Sequence, residues 1–106
     1  MKPTRELIAD MKGKVPVYVG ANSILLVGAF LRGYEEALIQ HGGNRDMRGF
    51  QHYVAKVFDV KTSQSWDRII QFYSASDESA IHTFFRLADE YFTLGATAGL
   101  PSNADE

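Results

Sequence analysis

The three histidines are the first residues to weigh for chemistry, because an imidazole can bind a metal ion or transfer a proton. His52 and His82 lie on stretches with helical periodicity, where a second metal ligand on the same face would follow four residues later. Those positions hold Lys56 and Arg86 instead. His41 stands before a glycine pair, where an imidazolium would favour the last carbonyls of a helix. Because the chain also has no cysteine, we predict no metal site and no bound cofactor.

Carboxylates and serines form no catalytic pattern either. Glu35–Glu36 and Asp89–Glu90 are adjacent pairs, and neighbouring positions on a helix diverge instead of converging on one reacting atom. None of the seven serines stands in a Gly-x-Ser-x-Gly turn, and no glycine-rich phosphate-binding loop is present. The sequence therefore predicts that the protein is not an enzyme.

Charge is divided unevenly between the two parts of the chain. Residues 1–61 hold nine Lys and Arg against six Asp and Glu, whereas residues 62–106 hold two against seven. The pI of about 5.9 is low for a nucleic-acid-binding domain, so we predict no nucleic-acid partner. The acidic second part suits a basic protein partner. The alternative is that its acids are only the solvated surface of helices.

Apolar residues recur every three or four positions along most of the chain, which is typical of amphipathic helices. Five segments follow this rule, beginning near Thr4, Ser23, Asp46, Ser65 and Asp77. The last is the clearest and is predicted to be a core helix, with one face formed by Ile81, Phe84, Phe85, Ala88, Tyr91 and Phe92.

The second helical segment is predicted to run from a cap at Asn22 or Ser23 to about His41. It contains Gly28 and Gly33, and a glycine inside a helix costs about 1 kcal/mol relative to alanine. We therefore predict that another part of the chain packs closely against these glycines. The alternative is a local kink in the helix.

Residues 14–19 are the stretch that most favours extended backbone. They combine three β-branched valines with Pro16, and Gly20 allows a turn. We predict an all-α, single-domain bundle of about five helices with a short extended arm at residues 14–19. The alternative is an α+β domain in which this arm pairs with a second strand.

The length of 106 residues fits one domain. We expect the helical domain to occupy residues 1–94 and residues 95–106 to form a loose tail. The longest apolar stretch, residues 24–31, is much shorter than the about 20 residues that span a bilayer. The amino terminus also lacks the apolar region of a secretory signal. The sequence therefore predicts a cytoplasmic protein that does not bind a membrane.

Several short motifs are similar to those of a group of small bacterial proteins. Residues 16–20 read Pro-Val-Tyr-Val-Gly, and residues 30–38 read Phe-Leu-Arg-Gly-Tyr-Glu-Glu-Ala-Leu. The pairs at 49–50 (Gly-Phe) and 65–66 (Ser-Trp) and the segment 84–92 continue the pattern, which covers residues 14–93. In these motifs the chain resembles immunity proteins of contact-dependent growth inhibition and related polymorphic toxin systems.

The resemblance implies a protein that binds a cognate bacterial toxin domain and covers its active or functional surface. A basic nuclease is one such toxin, and acidic groups on the immunity protein would oppose its charge. The interface candidates are acids on predicted helix surfaces and two tyrosines off the apolar stripes, namely Tyr18, Glu35, Glu36, Tyr53, Asp77, Glu78, Asp89 and Glu90. The alternative function is a small regulatory or protein-binding module with another partner.

Overall fold

The computed structural model describes residues 1–98, with side chains through residue 95. Six helices occupy this part of the chain, in the order α1 (Thr4–Met11), α2 (Val15–Val19), α3 (Ile24–Gln40), α4 (Phe50–Val57), α5 (Trp66–Phe72) and α6 (Asp77–Ala98). The prediction of an all-α bundle is confirmed, with six helices in place of about five. Within the same residues, no helix combines the length and the apolar character needed to cross a bilayer.

The predicted extended arm at residues 14–19 is wrong, because Val15–Val19 form the short helix α2. Pro16 lies in the first turn, where its missing N–H leaves no hydrogen bond unmade. Gly20 ends the helix with a φ of 91°, and its N–H donates to the Pro16 carbonyl over 2.9 Å. The described residues contain no strand, so the α+β alternative is also wrong.

Helix α3 contacts α1, α2, α5 and α6 and therefore connects most of the bundle. It begins as predicted, since Ser23 Oγ accepts a hydrogen bond from the backbone N–H three residues later, at 3.3 Å. The predicted close packing occurs at Gly28, where an added Cβ would lie 2.9 Å from the Cβ of Asp67 on α5. It does not occur at Gly33, where an added Cβ would meet no neighbouring element within 4 Å.

The carboxylate of Asp67 joins α3 to α5. Asp67 is 2% exposed, and Arg32 donates to it through both terminal nitrogens, at 3.2 and 3.4 Å. The carboxylate also lies in the first turn of α5, where the helix dipole favours negative charge. A two-bond contact of this kind fixes orientation as well as distance, so α5 is held firmly against α3.

The core is centred on three rings from three helices, Phe50 of α4, Trp66 of α5 and Phe84 of α6. Trp66 stacks on Phe84 with ring centroids 5.2 Å apart, and Phe50 meets Trp66 edge-on at 5.0 Å. The predicted apolar face of the last helix lies in this core, with four members buried and the last two half-buried. Helix α6 extends to Ala98, past the predicted domain boundary at residue 94, and residues 99–106 of the predicted tail lie outside the described residues.

Candidate functional site

Glu35 lies inside the molecule, and the prediction that it is exposed is wrong. It is 6% exposed, and its Oε2 accepts a hydrogen bond at 3.1 Å from the backbone N–H of Met47, in the loop between α3 and α4. Burial raises the pKa of this carboxyl, against the opposing effects of the Thr4 hydroxyl and the Met47 N–H. Thr4 Oγ1 is itself buried and makes no hydrogen bond of ordinary geometry within the described residues. Glu35 therefore supports the loop and is not available to a partner.

Tyr53, Asp89 and Glu90 come together where α4 meets α6. The Tyr53 hydroxyl donates to Glu90 Oε1 at 2.9 Å. Burial is the larger cause that raises the pKa of Tyr53, and the hydrogen bond to Glu90 is the next. Lys12 Nζ lies 2.8 Å from Asp89 Oδ2, and Arg86 Nη1 lies 3.3 Å from Glu90 Oε2. Because each carboxylate already has a cation beside it, this face is less negative than the sequence indicates.

The same three residues border an open groove of about 460 Å³, which we call the α4–α6 groove. Thr93 and Leu94 complete its lining, and Leu94 is largely exposed. This groove is the place where the structure assembles the largest number of the predicted interface residues.

The other exposed candidates lie apart from this groove. Glu36 pairs with Arg45 at 3.2 Å, and Tyr18 is half-buried with its ring 6.3 Å from that of Phe30. Asp77 and Glu78 begin α6, roughly 18 Å along the helix from Asp89 at 1.5 Å per residue. Neither forms an ion pair with any residue that the structure describes. The predicted candidates therefore do not form one continuous surface.

A second surface, which sequence reasoning missed, lies at the end of α5. Phe72 is 79% exposed and Tyr73 is 50% exposed. The Tyr73 ring stacks on that of Phe58 with centroids 4.8 Å apart and planes 8° from parallel, while Phe72 meets Tyr73 edge-on at 4.9 Å. We call Phe58, Phe72 and Tyr73 the aromatic patch.

The position of Phe72 in α5 contains the signal that could have identified it. Trp66, Ile69 and Ile70 are buried on one stripe of α5, and helical spacing assigns Tyr73 to the same stripe. At 100° per residue, Phe72 lies roughly 110° away from the centre of that stripe, on the side that faces solvent. The helical spacing therefore predicts that Phe72 is exposed. Tyr73 is half-exposed because the helix ends just before it.

An open groove of about 510 Å³ adjoins the aromatic patch, and we call it the α5 groove. Phe72 and Tyr73 line both features, so the patch and the groove form one continuous surface. The other walls come from the loop after α4 and from α5, and the charged side chains among them are Lys61 and Arg68. Within the described residues, neither cation forms an ion pair.

The histidines are exposed and lie on separate parts of the fold. His41 caps the end of α3, while His52 lies on α4 and His82 on α6. Within the described residues, no three His, Asp or Glu side chains are placed to hold a metal ion.

Comparisons of the chain with protein-family models, with curated proteins and with solved structures give no match. The similarity to immunity proteins therefore stays a hypothesis drawn from the motifs in residues 14–93.

Proposed function

We propose that this protein is an immunity protein that binds a cognate toxin domain through the aromatic patch and covers a surface that the toxin needs. The observation that carries the proposal is the exposure of Phe72 on a stacked base of Tyr73 and Phe58. Aromatic side chains supply much of the binding energy of protein interfaces. Removing one exposed Phe side chain from water is worth roughly 1.5–3 kcal/mol.

The support beneath the patch suits an inhibitor that binds without changing shape. Helix α5 buries Trp66, Ile69 and Ile70 and is held to α3 by the contact between Arg32 and Asp67. A surface that is already ordered loses little conformational entropy on binding, so more of the contact energy appears as affinity.

The proposal places the contact at the end of α5 instead of at Asp89 and Glu90. Those two acids are compensated by Lys12 and Arg86, whereas Asp77 and Glu78 follow the aromatic patch closely in the chain.

The test is rescue of cells that produce the toxin domain encoded beside this gene. Wild-type protein should restore growth, and Phe72→Ala should need clearly higher expression to do so. Val17→Ala is the matched control, since Val17 is exposed to the same extent on a different helix and should rescue like wild type.

Failure of the wild-type protein to bind or rescue would overturn the immunity proposal. Stable capture of a housekeeping protein through the same patch would favour the regulatory module instead. Full rescue by Phe72→Ala at the lowest effective expression would show that the toxin binds another surface.

A further inference from the structure

We infer that the α5 groove takes an acidic segment of the partner, with carboxylates at Lys61 and Arg68 and an apolar side chain against Phe72. The inference rests on the proposed function, because it identifies the chemistry of what docks beside the aromatic patch. It concerns a different feature of that surface, namely the charge and volume of the groove.

The groove is open to solvent and large enough to receive side chains of a partner. Its volume of about 510 Å³ is within the roughly 300–1,000 Å³ range of ligand-binding clefts. Phe72 and Tyr73 line it from the end of α5, and Val60, Lys61, Thr62 and Gln64 line it from the loop after α4. A flat partner surface would leave this space unfilled, whereas a projecting segment would fill it.

The positive charge of the lining indicates that the docking segment is negatively charged. Lys61 and Arg68 both line the groove, both are exposed, and neither pairs with an acid among the described residues. Asp59, only two residues before Lys61, does not line the groove. A guanidinium and an ammonium close to an aromatic wall match a segment that carries carboxylates next to an apolar residue.

A nucleic acid fits these observations less well. Binding a phosphate backbone depends on several cations in a row, and the groove offers two. Asp77 and Glu78 follow Tyr73 by four and five residues, so a long polyanion crossing the patch would meet negative charge. A short acidic peptide needs only the two cations and the adjoining ring.

The experiment is a titration of the full ¹⁵N-labelled chain with three probes, followed by amide chemical shifts. The first probe is a peptide alternating glutamate with leucine and tryptophan, the second replaces each glutamate by lysine, and the third is a single-stranded oligothymidine. We expect the acidic peptide to shift the resonances of residues 60–73 and the other two probes to leave them unchanged.

Variants connect the binding to the two cations. Lys61→Gln and Arg68→Gln should each weaken binding of the acidic peptide by about twofold to fivefold. Added salt should weaken binding by the wild type more than binding by the double variant. Lys14→Gln, which removes an exposed cation elsewhere, is the control and should bind like wild type.

The inference is overturned if the acidic peptide leaves residues 60–73 unshifted, if the lysine peptide or the oligothymidine binds there better, or if Arg68→Gln binds unchanged. Loss of toxin rescue in Phe72→Ala with unchanged peptide binding in Arg68→Gln would leave the proposed function standing and remove only this inference.

Discussion

At the scale of single residues, two buried carboxylates show how differently one chain can stabilise an acid. The Asp67 carboxylate accepts two hydrogen bonds from the Arg32 guanidinium and lies in the first turn of α5. The Glu35 carboxylate accepts one backbone hydrogen bond, from the Met47 N–H at 3.1 Å. Burial raises the pKa of Glu35. Its charge is therefore a cost to folding at neutral pH, because the folded state holds the proton more tightly than the unfolded chain does.

This difference predicts a pH dependence for Glu35→Gln. Glutamine removes the ionisation and can still accept from Met47. The contribution of Glu35 to stability is fully present below its ordinary pKa of 4.5 and is lost as the pH rises through the higher folded value. Urea denaturation of both proteins from pH 4 to pH 7 should show that the free energy of unfolding of the variant increases relative to that of wild type as the pH rises. A constant difference across that range would contradict the assignment.

The two glycines of α3 predict opposite effects for the same substitution. Gly28→Ala places a methyl group 2.9 Å from the Cβ of Asp67 and closer still to its carboxylate, so we expect destabilisation of about 1–3 kcal/mol. Gly33→Ala meets open space in the same helix and should stabilise the fold by up to about 1 kcal/mol. The melting temperature should fall in Gly28→Ala and rise in Gly33→Ala. Equal changes in the two variants would show that α5 does not approach α3 at Gly28.

At the scale of the helices, periodicity and caps are visible in the sequence because they depend on residues a few positions apart. The start of α3 at Ser23 and the apolar face of α6 were both predictable for this reason. Helix α2 was not, since the β-branched valines favour extended backbone while a proline fits equally well in the first turn of a helix. Since residues 1–98 contain no strand with which residues 14–19 could pair, the helical form satisfies their backbone hydrogen bonds.

The cap of α3 provides a prediction at this scale. Ser23 Oγ accepts from the Leu26 N–H, so Ser23→Ala should destabilise the protein by about 1 kcal/mol. Ser65 occupies the corresponding position before α5 but forms no side-chain cap bond, so Ser65→Ala should cost less. Denaturant midpoints of the two variants provide the comparison. A larger loss at Ser65 would contradict the capping geometry.

At the scale of the whole molecule, the candidate site was less predictable than the helices because it depends on contacts between distant residues. Lys12 compensates Asp89 across 77 positions, and no local pattern reveals that the acidic face loses charge in this way. Glu35 becomes buried because the loop carrying Met47 returns to α3. The aromatic patch likewise depends on contact between Phe58 and Tyr73, which directly follow the ends of α4 and α5. Only the position of Phe72 outside the apolar stripe of α5 is visible in the sequence.

The most direct test of the central claim is the affinity of the purified protein for its cognate toxin domain, measured by titration calorimetry. Phe72→Ala should weaken binding by about 30-fold or more, as expected for an aromatic anchor, while its melting temperature stays close to that of wild type. Leu94→Ala, in the α4–α6 groove, should bind within about twofold of wild type. Unchanged affinity in Phe72→Ala together with a large loss in Leu94→Ala would show that the toxin docks at the α4–α6 groove, contrary to our proposal.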